Sequence, residues 1–414
     1  MRNRLIDPVA VTGMGIVSNQ GVGCSANWHS MINTHEHLAP WRQPCEPKLA
    51  GINVAQTPEL PRPDDLPPTL WQSLAGTQRL AAIAADEAIR MAALPTRPKR
   101  RPEPIALFMA TTVCGMDLTE QFYRQYRQQR QTADIALLKR VHPFEINVLL
   151  AHRHRLTGPR WLCMSTCVSS AMAIGAAVDS IRTGQTNMAL AGGAEALCEV
   201  VLSGFSALKL VAPEGCTPFA AGRRGITVGE GSAVLVLESL ASAAARRVQP
   251  LAYIRGVGMT CDAYHITGPE PTGAQPIAAM RQALQQAALR PDDIGYVNAH
   301  GTGTRDNDAM EARALNAVFG SRTQPFISST KRLTGHTFAS AGAIETVISA
   351  MALQHGVLPA NAGAPQADPT LSVNVIAQPT ERRVEHALTC NFAFGGNNTS
   401  IVISRGTGRT WETL

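Results

Sequence analysis

No run of about 18 apolar residues occurs anywhere in these 414 residues, so no membrane-spanning helix is expected. Lysine is scarce: there are five, against 32 arginines. The net charge of +6 is small for this length, and no long basic block dominates. A dedicated nucleic-acid binder is therefore disfavoured. The weak positive balance suits an acidic partner without demanding one. No C-x-x-C pair is present, and the nine cysteines are odd in number and scattered. That excludes a disulfide framework. Most of these thiols read as small core residues. The opening residues 1–7 are too polar for a signal peptide, so a cytoplasmic location is expected. Charged residues make up 16% and apolar residues 45%, which excludes disorder as the main state. At about 150 residues per domain, the length fits two to three domains or one large α/β unit. Such a chain buries a large core without staples.

Residues 9–17 read as a buried strand running into a glycine turn. Strands are also expected at 105–112, 161–165, 187–191, 232–237, 294–298, 326–329 and 388–390. Helical patterns cover 78–93, 168–181, 276–289, 308–319 and 340–354. Residues 58–69 and 95–104 are proline-rich and read as loops. Residues 121–131 mix aromatics with arginine and read as a surface or interface helix rather than a single-strand binder. Around 247–250 the pattern restarts. Tyr253-Ile-Arg-Gly-Val-Gly-Met then echoes Ala10-Val-Thr-Gly-Met-Gly-Ile. Alternating strands and helices imply α/β layers, and the echo implies a duplicated unit divided as 1–248 and 249–414.

Cys167 lies between a buried strand and a helix of small apolar residues. A helix apolar on every face is buried in protein. A cysteine at its N-terminus sits at the positive end of the macrodipole, which favours the thiolate. A buried inert thiol fits this segment equally well. Two histidines bear on the choice. His300 ends a strand, and His336 lies just past another. Strand ends in α/β proteins converge on one edge, where ligands bind. A cysteine and two histidines from separate strand ends make a nucleophilic site. The pairs His35/His37 and His152/His154 lie in no helical zinc motif and have no cysteine pair nearby, so no metal site is expected.

With these residues in view, the sequence resembles the β-ketoacyl-acyl-carrier-protein synthases, nearest to the elongating synthase II branch. The resemblance runs from Val9 to Ser404. It is carried by Ser165-Thr-Cys167 with Gly175, Gly192-Gly-Ala-Glu195, Gly229-Glu-Gly231 and Asp262-Ala-Tyr-His265. It continues through His300-Gly-Thr-Gly-Thr304 with Asp308 and Glu311, then Ser328-Ser-Thr-Lys331 with Gly335-His336 and Glu345. Asn391-Phe-Ala-Phe394-Gly-Gly-Asn-Asn398 closes the set. The resemblance implies the thiolase fold: two similar halves, each with a mixed five-stranded sheet, in five layers α-β-α-β-α. It implies a decarboxylative Claisen condensation, with the acyl chain carried on Cys167 and the extender on malonyl-acyl-carrier protein. Backbone N–H groups of Cys167 and Phe394 would form an oxyanion hole, with Phe394 gating the acyl pocket. His300 and His336 would stabilise the enolate. Lys331 would hold the local network and pair with Glu345. Thr302 and Thr304 would bind the pantetheine arm, and Asn398 would give structural support. No metal or other cofactor is implied beyond the carrier's phosphopantetheine. The implied partners are the carrier and a second subunit, as a homodimer or as a heterodimer with a ketosynthase-like chain.

The sequence departs from the family pattern at four places. Ala220 and Arg224 stand where acidic residues are usual, Ala339-Ser340 replaces Gly-Ala, and Ala393 replaces glycine. Glycine has the widest backbone range, so Ala393 is expected to stiffen the gating loop. The condensation is expected to serve fatty acid or specialised polyketide or aryl-polyene-type biosynthesis, with a housekeeping fatty-acid role disfavoured by these departures. Three other readings remain at this point. A chain-length-factor-like partner subunit usually lacks the nucleophilic cysteine, which is present here. A thiolase is faintly suggested by Cys390 near Gly395-Gly396. A cysteine hydrolase fits the two strand-end histidines less well.

Overall fold

The computed structural model describes residues 7–41, 47–101, 103–320, 324–363 and 367–407. Cys45 and the polar first six residues lie outside them. Ten strands form the main sheet path: β1 (Val9–Ser18), β2 (Ala106–Ala110), β3 (Arg160–Cys163), β4 (Met188–Glu195), β5 (Gly231–Glu238), β6 (Ala252–Cys261), β7 (Tyr296–Asn298), β8 (Phe326–Ser328), β9 (His386–Phe392) and β10 (Asn397–Arg405). The helices that position the site are α1 (Gly76–Met91), α2 (Met116–Gln128), α3 (Glu145–His154), α4 (Ser169–Arg182), α5 (Glu199–Ala207), α6 (Ala274–Ala287), α7 (Arg305–Phe319) and α8 (Ala341–His355).

The strand order is β8-β7-β9-β10-β6-β1-β5-β4-β2-β3. It reads outward identically from the middle, with each strand of the first half matched by the one five places later. In both halves the two inner pairings are antiparallel and the two outer ones parallel. The halves meet edge to edge where Val9–Val11 pairs antiparallel with Ala252–Ile254. Helix α1 covers the outer face of the first sheet and α6 that of the second. Helices α4 and α8 pack on each other between the sheets. This is the five-layer duplicated α/β architecture of the thiolase fold.

The echo between the two halves has a packing cause. At Gly13 and Gly15 of β1, an added Cβ would collide with the carbonyls of Ala88 and Ala84 on α1. At Gly256 and Gly258 of β6, it would collide with those of Ala283 and Ala279 on α6. The alternate glycines let each outer helix lie against its strand. In the middle layer, a Cβ at Gly342 of α8 would come within 2.7 Å of the Ala171 Cβ on α4. The small residues seen in the sequence thus bring α4 and α8 together at their N-terminal ends.

Several boundaries differ from the sequence reading. Residues 58–69 do not remain loop throughout, because Pro68 opens a short helix, Pro68–Ser73. Proline is well placed at that first position, where its missing N–H is not needed. Helix α7 starts at Arg305, one turn before Asp308, and carries Asp306 and Asp308 in its first turn. Acidic residues there complement the helix dipole. Helix α2 begins at Met116, five residues before the expected aromatic stretch. The strand β10, with the pattern Asn-Asn-Thr-Ser-Ile-Val-Ile, was not marked by composition alone and is buried as the partner of β9.

The glycine reading is testable. Gly15→Ala and Gly258→Ala should each lower stability by about 1–3 kcal/mol, because the collision is with backbone that cannot swing aside. Urea unfolding measures this, and an unchanged midpoint in both variants would contradict the close approach.

Candidate active site

Cys167 sits on a tight elbow. Strand β3 ends at Cys163, a 3-10 turn covers Thr166–Val168, and α4 follows from Ser169. Thr166 has φ +48°, a left-handed conformation costly for a β-branched residue. Local bonds hold it there. The Ser165 N–H donates to Ser169 Oγ (2.7 Å), and Ser169 Oγ donates to the Thr166 carbonyl (2.7 Å). Thr166 Oγ1 donates to the Phe394 carbonyl (2.9 Å), tying the elbow to the loop after β9. The second half repeats the device. Phe338 has φ +48°, a 3-10 turn covers Phe338–Ser340, and α8 follows. Ala339 stands where the first half has Cys167.

The histidines come from the second half. The His300 and Gly301 N–H groups each donate to a different oxygen of Glu311, both at 2.7 Å. The Gly303 N–H donates to Asp308 Oδ1 (3.2 Å). Two carboxylates on α7 thereby shape the loop after β7. His336 is anchored by its own N–H to the Thr227 carbonyl (2.7 Å) and accepts the Gly229 N–H at its carbonyl (3.0 Å). The imidazole rings of His300 and His336 lie 5.4 Å apart, edge to face. The Phe338 N–H donates to His336 Nδ1 (3.2 Å). That nitrogen is then an acceptor, so in the neutral ring the proton resides on Nε2. His300 Nδ1 is buried without a hydrogen-bond partner among the described residues.

Lys331 lies beneath both rings. Its ammonium donates to the His300 carbonyl (2.6 Å) and pairs with Glu345 Oε1, while Asn391 Nδ2 donates to Glu345 Oε2 (2.6 Å). Both members of the ion pair are buried. The charge arrangement controls protonation. Burial, Lys331 and the neighbouring His336 depress the His300 imidazole well below 6.5. Burial and Lys331 do the same to His336. Burial pushes the Cys167 thiol up to about 12, against the pull of Lys331 and of the Phe394 backbone N–H on the sulfur. This corrects the expectation that the helix N-terminus leaves Cys167 as a ready thiolate. Desolvation of the buried sulfur outweighs the favourable charges.

Cys167, His300, His336, Thr302, Thr304, Phe392 and Phe394 line one cavity of about 620 Å³. The hydroxyls of Thr302 and Thr304 lie 2.9 Å apart. Exposed Lys209, Arg224 and Arg305 also line this cavity. Asn398 Nδ2 donates to Asp262 Oδ1 (2.7 Å) and to the Gly396 carbonyl (3.0 Å). It ties the 393–396 loop to the loop after β6, away from the reacting groups. The turn in that loop is made by Gly395 and Gly396, at φ +85° and +81°, while Ala393 keeps an ordinary backbone. Ala220 forms a single bridge with Ala367. Its loop is also held by buried Arg223, which donates to Asp368 Oδ2 (2.9 Å). Cys390 is buried on β9 against Ser400 Oγ (3.7 Å) and lines neither cavity that touches Cys167.

The sequence reading named Cys167, both histidines, Lys331, Glu345 and the two threonines, and the fold brings them together. It did not single out Asn391, Phe205 or Phe338 as site residues. Phe205 stacks on Phe394 (5.6 Å) and meets Phe338 (5.2 Å), and no motif marks this contact. The two histidine pairs have other partners. His37 Nε2 contacts Ser30 Oγ (3.0 Å), and buried His154 bonds the Thr96 carbonyl through Nδ1 (2.7 Å).

Breaking the ion pair from one side should be severe. Lys331→Met leaves the Glu345 carboxylate buried alone and should cost about 3–5 kcal/mol. Adding Glu345→Leu should recover part of that loss in chemical denaturation. A Lys331→Met variant as stable as the parent would contradict the pair's structural role.

Comparison with known proteins agrees with this geometry. The chain matches the family models "Beta-ketoacyl synthase, N-terminal domain" over residues 6–243 and "Beta-ketoacyl synthase, C-terminal domain" over 251–364. It is 35% identical to nodulation protein E of Rhizobium meliloti over 96% of this chain and 99% of that one. It is 31% identical to the mitochondrial 3-oxoacyl-[acyl-carrier-protein] synthase of Arabidopsis thaliana, over 96% and 93% of the two chains. Among solved structures, it resembles a β-ketoacyl synthase from Burkholderia phymatum, with TM-score 0.87, 27% identity, and 96% and 99% of the chains covered. It also resembles a ketosynthase in complex with its chain length factor from Xenorhabdus doucetiae, with TM-score 0.82, 28% identity, and 98% and 100% covered. With the fold, the buried thiol and both family domains in agreement, the chain belongs to the β-ketoacyl synthase family of carbon–carbon bond-forming acyltransferases.

Proposed function

We propose that this chain is a carrier-dependent elongating ketosynthase in which Cys167 carries the growing acyl group. The observation that carries the reading is the convergence of one buried thiol and two buried, neutral imidazoles on a single cavity. In the first step, Cys167 sulfur attacks the thioester carbonyl of an acyl donor, and the carrier thiol leaves. The exchange is proton-neutral, because the proton lost by Cys167 ends on the released thiol. This suits a thiol that is not ionised at rest. Its tetrahedral oxyanion would rest on the Cys167 and Phe394 N–H groups.

In the second step, a malonyl thioester loses carbon dioxide, and negative charge develops on its thioester oxygen. His336 presents Nε2–H for that oxygen, and His300 is placed to give a second N–H. A neutral imidazole is a donor here without first having to lose a proton. The enolate carbon attacks the acyl-Cys167 carbonyl, the C–S bond breaks, and the sulfur takes a proton from solvent. Lys331 keeps both rings neutral and does not itself transfer a proton.

Thr302 and Thr304 suit a pantetheine arm, and Lys209, Arg224 and Arg305 suit its phosphate and an acidic carrier. The chemistry requires no cofactor beyond that arm. The thiol must stay reduced, so we place the enzyme in the cytoplasm. No helix among the described residues is long and apolar enough to cross a membrane. Strand β3 ends the sheet path among the described residues, and Trp161 within it and Met164 just after it are exposed. We assign this edge to a second subunit, a copy of the chain or a ketosynthase-like partner such as the Xenorhabdus doucetiae complex contains. We also keep the division of the halves at 248/249.

Two measurements test the mechanism. Intact-protein mass spectrometry with acyl-carrier donors should show an acyl mass on the parent and none on Cys167→Ala, while His300→Ala and His336→Ala should acylate but fail to decarboxylate the malonyl carrier. Condensation at normal rate in any of the three would overturn the assigned roles. The pH profile supplies the second test. Both imidazoles have depressed values, so they stay neutral as pH falls through 6.5 and charge only well below it. Decarboxylation should therefore stay flat through 6.5, and an acid limb centred at or above that value would contradict the neutral-donor role.

A further inference from the structure

Behind Cys167 lies a second, smaller cavity of about 140 Å³. Cys167, Phe205 and Phe394 line both cavities, so the thiol sits at their junction. Val113, Val201 and Phe338 add to the apolar wall of the small one, which Thr112, Thr166 and Glu195 also line. An apolar cavity of about 150 Å³ holds a benzene-sized molecule. The small cavity therefore admits an acyl group of about that bulk and not a long chain.

Phe338 lines this cavity under unusual constraint. Its backbone is held at φ +48°, and its N–H is committed to His336 Nδ1. Its ring stacks on the His336 imidazole at 4.9 Å and meets Phe205 at 5.2 Å. Backbone, imidazole and neighbouring ring all oppose a swing of the Phe338 ring away from the pocket. Phe205 in turn stacks on Phe394, whose N–H faces the Cys167 sulfur.

We propose that Phe338 is a specificity-determining residue that restricts the acyl group on Cys167 to a short apolar chain, roughly benzene-sized beyond the thioester. The proposal rests on the condensing reading above and adds the substrate class to it. Neither the motifs nor the family match assigns this role to position 338.

The test uses the acylation half-reaction, which does not depend on His336 as a donor to malonyl. Hexanoyl- and hexadecanoyl-carrier proteins are offered to the full chain, and transfer to Cys167 is followed by intact mass. The parent should take hexanoyl at least about tenfold faster than hexadecanoyl. Phe338→Ala should cut that ratio about tenfold or more through faster hexadecanoyl transfer, with Phe338→Leu intermediate. Leucine keeps much of the bulk and guards against misfolding of the alanine variant. Parent enzyme that takes both chains equally, or a ratio unchanged in both variants, overturns the inference alone. No acyl mass on the parent from any donor overturns the condensing function and this inference with it.

Discussion

Lys331 is an ammonium buried against the His300 loop, next to a thiol and two imidazoles that are uncharged. Burial of such a charge costs several kcal/mol unless it is paired and hydrogen-bonded. Glu345 and the His300 carbonyl meet that requirement, and Asn391 satisfies the second Glu345 oxygen. The same cation then acts on everything around it. It opposes protonation of His300 and His336 and favours ionisation of Cys167. Desolvation acts with it on the imidazoles and against it on the thiol. That asymmetry yields neutral hydrogen-bond donors and a sulfur that reacts through an exchange with no net ionisation.

The duplication explains why these groups can meet. The first half supplies the thiol on its elbow, and the second supplies two histidines from the loops that follow β7 and β8. Neither half holds a complete set. They come within reach because α4 and α8 approach at Ala171 and Gly342, and because Ser170 Oγ accepts the Ala343 N–H (2.9 Å) across that contact.

Much of this was legible in the chain. The apolar, small-residue run after Cys167 announced a buried helix, and the repeated Gly-x-Gly announced two equivalent strand–helix contacts. Strand-end positions placed His300 and His336 on one edge. The thiol's ionisation was misjudged because a macrodipole is visible in sequence while the depth of a pocket is not. The Phe205–Phe338–Phe394 cluster was missed for a related reason. It joins α5, the second elbow and the loop after β9, three segments far apart in the chain, and aromatic residues carry no signature of such meetings. The positive-φ positions of the 393–396 loop fall at Gly395 and Gly396.

The second elbow sharpens the point about strain. A left-handed Thr166 is accounted for by the nucleophile it presents. Phe338 holds the same φ in a half that has Ala339 where the nucleophile would stand. Strain of about 1–3 kcal/mol persists only where surrounding structure over-determines it. Here the surrounding bonds have a recipient: the Phe338 N–H sets the His336 tautomer, and the ring is carried against the acyl cavity. The two copies of one strained turn thus hold different groups at the same cavity, Cys167 from the first half and, from the second, an aromatic wall whose N–H is committed to His336.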